Sequence, residues 1–284
     1  MIKAYYTLTK PGIIYGNALT AAGGFFLAAH GVINIRLFFM MLLGLSCIIA
    51  SACVFNNILD RNIDAKMKRT KFRPLVQKVI TVKQAFIFAC FLSIIGTLIL
   101  SLYTNVLTLS LALLGLFFYV VVYGIAKRHT VHSTIIGCIS GAIPPVVGYC
   151  SVTNHFDLVA FFLFAILIFW QMPHFYAIGM FRLKEYKAAG LPIWPSVNGT
   201  ENTKQKIVVY VVGFLTTISL LTAFHFIGYI YLFVMVTISL LWLVKGIRGF
   251  GLQQDIAWAR SMFLFSLVVI TIFSLMISIG PVLP

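Results

Sequence analysis

Nine runs of about 20 apolar residues, separated by short polar gaps, constrain this chain more than any other feature. A hydrocarbon layer about 30 Å thick is crossed by about 20 residues of helix, so each run can span a membrane. They cover roughly 12–30, 38–59, 84–102, 106–125, 134–152, 157–180, 207–225, 228–246 and 260–280. In lipid the backbone must satisfy its own hydrogen bonds, so runs of this length predict helices. The expected fold is an all-α polytopic membrane protein of nine transmembrane helices. Composition agrees: 61% of the 284 residues are hydrophobic and 10% are charged, where a soluble domain carries about 25% charged residues. No soluble insertion divides the chain, so residues 1–284 read as a single transmembrane domain. Lys3 and Lys10 before the first run resemble a signal-peptide flank; eight further spans favour a retained helix.

The net charge of +15 would suit nucleic acid if it lay on a soluble face. Instead the bases sit in the gaps between spans, where they meet the bilayer surface. With nine spans, every Lys and Arg except Arg36 falls on one side of the membrane. The positive-inside rule makes that side, and the N-terminus, cytoplasmic. Of the six acids, only Asp157 falls opposite. Cys47, Cys53, Cys90, Cys138 and Cys150 lie in apolar runs without a CxxC pair and read as small buried hydrophobes.

One segment carries the chemistry. Asn56, Asp60 and Asp64 are spaced four apart and form one stripe if helix continues beyond span two. Two carboxylates at that spacing repel mildly unless a cation lies between them. Oxygen ligands of this kind suit Mg²⁺, with phosphate oxygens completing its shell. Helix-end pairing with nearby Lys and Arg is the alternative. Lys66, Lys68, Arg69, Lys71 and Arg73 follow at once, and Arg69 and Arg73, at helical spacing, can fork onto phosphate. Acids for Mg²⁺ followed by bases for phosphate describe a diphosphate cradle. Tyr123 and Lys127 end span four one turn apart, on the same side. Gln171 and His174 interrupt the apolar run of span six, which is expensive in a membrane and suggests function. Glu185 would share a face with His174 if that helix continued beyond Pro173. His174 allows three roles: lining a reaction cavity, ligating iron, or holding a neighbouring helix. The first is favoured, with Glu185 alongside.

The Asn56/Asp60/Asp64 stripe, Arg69-Thr70 with Arg73-Pro74, and the Tyr123/Lys127 pair resemble the UbiA superfamily of intramembrane prenyltransferases. Within it, Thr9-Lys10-Pro11-Gly12, Lys127-Arg128-His129-Thr130, Gly141 to Pro145 with Gly148-Tyr149, and Trp170 to Phe175 are similar to its haem-modifying branch. The likeness runs from Thr9 to about Pro195. It implies nine helices around a central cavity, with a prenyl diphosphate held at the cytoplasmic mouth through a Mg²⁺ cofactor on Asp60 and Asp64. By position, Asn56, Asn57, Arg69, Arg73, Tyr123, Lys127 and Arg128 would bind the diphosphate. Asp60, Asp64, Lys127, His174 and Glu185 would serve catalysis. The branch implies farnesyl diphosphate and haem B as substrates, haem O as product, and a haem A synthase or terminal oxidase as a partner. The superfamily's usual second aspartate pair is replaced by Glu185 alone, which puts a second Mg²⁺ in doubt. Without an Arg- and Ser-rich leader, the chain is expected in a bacterial inner membrane. The rivals are a quinone- or chlorophyll-type prenyltransferase and, from another class, a cation-dependent transporter or channel.

Overall fold

A computed structural model of the protein describes residues 1–251 and 255–280. A short helix, α1 (Ile2–Leu8), precedes the spans. Among the described residues, nine helices are long and apolar enough to cross a membrane. They are α2 (Pro11–Ala29), α3 (Ile35–Asp64), α4 (Val82–Tyr103), α5 (Val106–His129), α6 (Ser133–Thr153), α7 (Leu158–Phe181), α9 (Trp194–Ala223), α10 (Tyr229–Ile247) and α11 (Asp255–Ile279). The six-residue α8 (Leu183–Ala188) lies between α7 and α9.

Side-chain caps start several of these helices. Asn34, Asn105 and Asp157 accept from Leu37, Thr108 and Ala160 backbone N–H groups, and Thr81 forms a capping box with Gln84. Asp157, the one acid assigned to the far side, therefore has a local purpose, and its other oxygen accepts from the Tyr149 hydroxyl at 2.7 Å. Arg36, the one base there, lies 4.9 Å from the centre of the Tyr103 ring.

Consecutive spans α3 and α4 pack together, and α7 packs on both α9 and α11. The first span, α2, contacts the last, α11, which closes the bundle into a ring. Helices α2 and α6 cross with their backbones in contact. A Cβ at Gly148 would stand 1.9 Å from the Ala21 carbonyl oxygen, and one at Gly24 would stand 2.0 Å from that of Pro145. Only glycine lets these two backbones touch.

Three elements depart from the sequence reading. Helix α9 begins at Trp194 rather than near 207, because Pro195 suits a first turn. It then kinks at Gly199 (φ 80°), and its early polar residues lie outside the apolar run. Span α5 contains a π-helical turn at Phe118–Val122. Residues 65–80 form a chain of turns rather than a continuing helix, so Arg69 and Arg73 are not brought together by helical spacing.

Candidate active site

Helix α3 runs unbroken to Asp64, and this extension carries the expected stripe. Asn56, Asp60 and Asp64 all face one cavity of about 580 Å³ enclosed by the ring of helices. The stripe continues inward as Ala52, Ile49 and Leu45. From Asp60 to Leu45 the helix rises about 22 Å. The cavity is thus polar at one end and apolar along its length.

Cations from two other segments meet the carboxylates. Lys127 Nζ lies 2.5 Å from Asp60 Oδ1, and Arg73 Nη1 lies 2.6 Å from Asp64 Oδ2. The turn that delivers Arg73 is held on α3 by Thr70, whose buried hydroxyl donates to the Asp64 carbonyl at 3.0 Å. Arg69 also lines the cavity. Its guanidinium pKa is lowered by burial and by nearby Arg182. Tyr123 lines the wall beneath Lys127, whose ammonium sits 5.3 Å from the ring centre.

Lys10 completes the cluster; the sequence placed it before the first span and in the Thr9-Lys10-Pro11-Gly12 motif, without a site role. It adopts a left-handed conformation before Pro11 and donates from Nζ to Asn56 Oδ1. Burial pushes its pKa down to about 8, with Cys53, Asp60 and Asp64 opposing and Arg73 reinforcing the shift. Tyr119, stacked on Tyr123 at 5.7 Å, and Tyr186 also line the cavity. The four-residue step from Tyr119 to Tyr123 was a usable signal. For Lys10 the signal was its place in the Thr9-Lys10-Pro11-Gly12 motif, since a lysine before a first span is by itself what membrane orientation requires.

Three expected residues stand elsewhere. Asn57 turns away from the cavity and donates to the Leu8 and Cys53 carbonyls, tying α1 to α3. Neighbouring positions on a helix point about 100° apart, and that step turns Asn57 toward α1 while Asn56 faces the cavity. Arg128, likewise beside Lys127, donates to the Leu59 carbonyl and is half exposed, yet its Nη2 lies 4.0 Å from Asp60 Oδ1, so it stands at the edge of the acid cluster without lining the main cavity. Glu185 does not share a face with His174: α7 ends at Phe181, Arg182 leaves helical geometry, and Glu185 pairs with Arg182 at 3.3 Å on α8.

His174 does line the cavity, with Gln171 one turn before it. Seven residues separate it from the end of α7, so it lies about 10 Å below that end. Its Nδ1 is 2.7 Å from Ser266 Oγ on α11. Gln171 is fixed by donating to the Cys138 and Leu167 carbonyls.

The donor set fits Mg²⁺. Asp60 and Asp64 are the acids lining the cavity among the described residues, and no cluster of three His, Cys, Asp or Glu occurs among them. Two carboxylates supply too few ligands for a closed protein cage. They do suit an ion that keeps waters and takes phosphate oxygens.

An all-helical ring with an acid–base cluster at the mouth of an apolar cavity defines an intramembrane prenyltransferase, and the chain belongs to the UbiA prenyltransferase family, whose model matches residues 17–268. Among curated relatives, a protein named protoheme IX farnesyltransferase from Protochlamydia amoebophila (strain UWE25) is 50% identical over 277 residues, covering 98% of each chain. Solved structures share the fold at lower identity. A structure described for digeranylgeranylglyceryl phosphate synthase superposes with a TM-score of 0.81 at 18% identity, covering 99% of this chain and 98% of that one. A UbiA homologue from Archaeoglobus fulgidus bound to GPP and Mg²⁺ gives 0.67 at 14% identity, covering 96% and 99%.

Proposed function

We propose that this protein transfers the farnesyl group of farnesyl diphosphate to a vinyl group of haem B, with addition of water, giving haem O. The observation that carries this reading is the 50% identity, over nearly its whole length, to a protein named protoheme IX farnesyltransferase. The cavity supports it: a cationic mouth for a diphosphate opens onto an apolar groove for a prenyl chain.

The diphosphate binds among Lys10, Arg69, Arg73 and Lys127, with Asn56 and Tyr123 beside it. Asp60 and Asp64 would hold Mg²⁺, which would supply Lewis-acid stabilisation of the leaving group. The bond between C1 of the farnesyl group and the diphosphate oxygen breaks, and the electron pair leaves with oxygen. Lys127, Arg69 and Arg73 face the charge that grows there, in a site already assembled for it. The terminal vinyl carbon of haem B forms the new carbon–carbon bond. The adjacent carbon, now cationic, takes a hydroxyl from water and a proton is released. No base is needed to deprotonate the acceptor first, which agrees with a cavity whose acids are confined to the mouth.

The mouth faces the cytoplasm of a bacterial inner membrane in this reading, and haem O passes to a haem A synthase or a terminal oxidase. The test is Mg²⁺-dependent binding of radiolabelled farnesyl diphosphate in detergent, followed by turnover with haem B. A channel would show neither. A quinone-type enzyme would bind the diphosphate and leave haem B unchanged.

A further inference from the structure

His174 and Ser266 lie 92 residues apart, on α7 and α11, and meet at the cavity wall. Ser266 Oγ donates its single hydrogen to the Phe263 carbonyl at 2.6 Å. Toward His174 Nδ1, 2.7 Å away, it can therefore only accept. This assigns the proton of the neutral imidazole to Nδ1 and leaves the Nε2 lone pair free. Nε2 has no hydrogen bond among the described residues, and the residue lines the cavity.

The ring is also fixed in orientation. Trp170 stacks on it at 4.8 Å and 29°, and Phe263 packs at 5.0 Å. The Trp170 indole N–H donates to the Ser266 carbonyl at 2.8 Å. Ser266 thus holds the imidazole through its side chain and the stacking indole through its backbone. A histidine that donates one nitrogen to an oxygen and aims the other at open space has the arrangement of a metal ligand. On α7 and α11 the cavity wall is mostly apolar, with Leu167, Phe175, Leu267 and Ile270, and besides His174 it carries the polar Gln171 and Thr271. Such a wall suits a flat macrocycle and offers no competing base.

We propose that His174 is the axial ligand through which the protein seats the iron of its haem B substrate, with Ser266 as the positioning residue that fixes the imidazole. This rests on haem B being the acceptor. A carboxylate behind the imidazole would make it more basic and bind iron more firmly; a neutral hydroxyl leaves it weaker. A weak bond is what a substrate that must depart requires. Seated there, the macrocycle lies deeper than the diphosphate, on the wall formed by α7 and α11, while the prenyl chain follows the stripe on α3.

The test uses the full chain in detergent with haem B and no farnesyl diphosphate, read by the iron–histidine stretch in the resonance Raman spectrum of the ferrous complex. The wild-type protein should show that stretch. His174→Ala should lose it and keep prenyl diphosphate binding, and His174→Gly should regain iron ligation with added imidazole. Ser266→Ala should shift the stretch and weaken haem binding about 10-fold, and Ser266→Thr should restore both. A wild-type complex that binds haem without an iron–histidine stretch overturns the proposal and leaves haem B as substrate. A wild-type protein that binds no haem B overturns the acceptor reading as well. Should His174→Ala fail to fold, the wild-type spectrum and the Ser266 pair still decide.

Discussion

Lys127 on α5 and Asp60 on α3 form an ion pair of 2.5 Å at the inner edge of the cavity mouth. Arg73 meets Asp64 in the same way from the turn that follows α3. Both carboxylates are therefore held in place from separate segments before a ligand arrives. Such preorganisation avoids reorientation of charges during diphosphate departure, and single preorganised groups of this kind are commonly worth about 10²–10³ in rate.

Asp60→Asn and Asp64→Asn should each lower turnover by at least about 10²-fold. Helix content and haem binding should be unchanged. The check is initial rate at saturating Mg²⁺, and normal activity in either variant would reduce that acid to a helix-end charge.

Lys127→Ala and Arg69→Ala should weaken farnesyl diphosphate and spare haem B. Titrating each ligand separately makes the comparison. Equal weakening of both would mark a general structural defect.

Lys10 predicts a pH dependence with a definite sign. Its pKa is pushed down to about 8 by burial, so below pH 8 the free enzyme presents an ammonium and above it a neutral amine. A diphosphate favours the ammonium, so affinity should be full below pH 8 and decline as pH rises through it. Lys10→Arg keeps its charge over this range and should remove the decline. A wild-type affinity that stays flat to pH 9, together with unchanged diphosphate affinity in Lys10→Ala, would place Lys10 outside the diphosphate site.

At the α2–α6 crossing the expected outcome is structural. A methyl at Gly148 meets the Ala21 carbonyl at 1.9 Å, and the obstacle is backbone, which cannot rotate aside. Gly148→Ala should cost about 1–3 kcal/mol, measured as earlier thermal unfolding in detergent, with intact diphosphate contacts in the surviving folded fraction.

The spans were legible because apolar length is a direct requirement of the bilayer, and the stripe from Asn56 to Asp64 was legible because helical spacing is local. Glu185 failed for a local reason too: the helix it was meant to share with His174 stops at Phe181. Asn57 and Arg128 were implied by the family resemblance, which carries no side-chain orientation: Asn57 faces α1, and Arg128 reaches the Leu59 carbonyl at the edge of the cluster. Ser266 could not be read at all. Nothing near residue 266 signals a partner at residue 174, and only the packing of α11 on α7 joins them.

The most direct measurement is the mass of the haem extracted after the purified protein is incubated with haem B, farnesyl diphosphate and Mg²⁺. The account predicts a product heavier than haem B by one farnesyl group and one hydroxyl, absent without Mg²⁺ and absent with Asp60→Asn. Haem B recovered at unchanged mass, from protein that demonstrably binds both substrates, would contradict it.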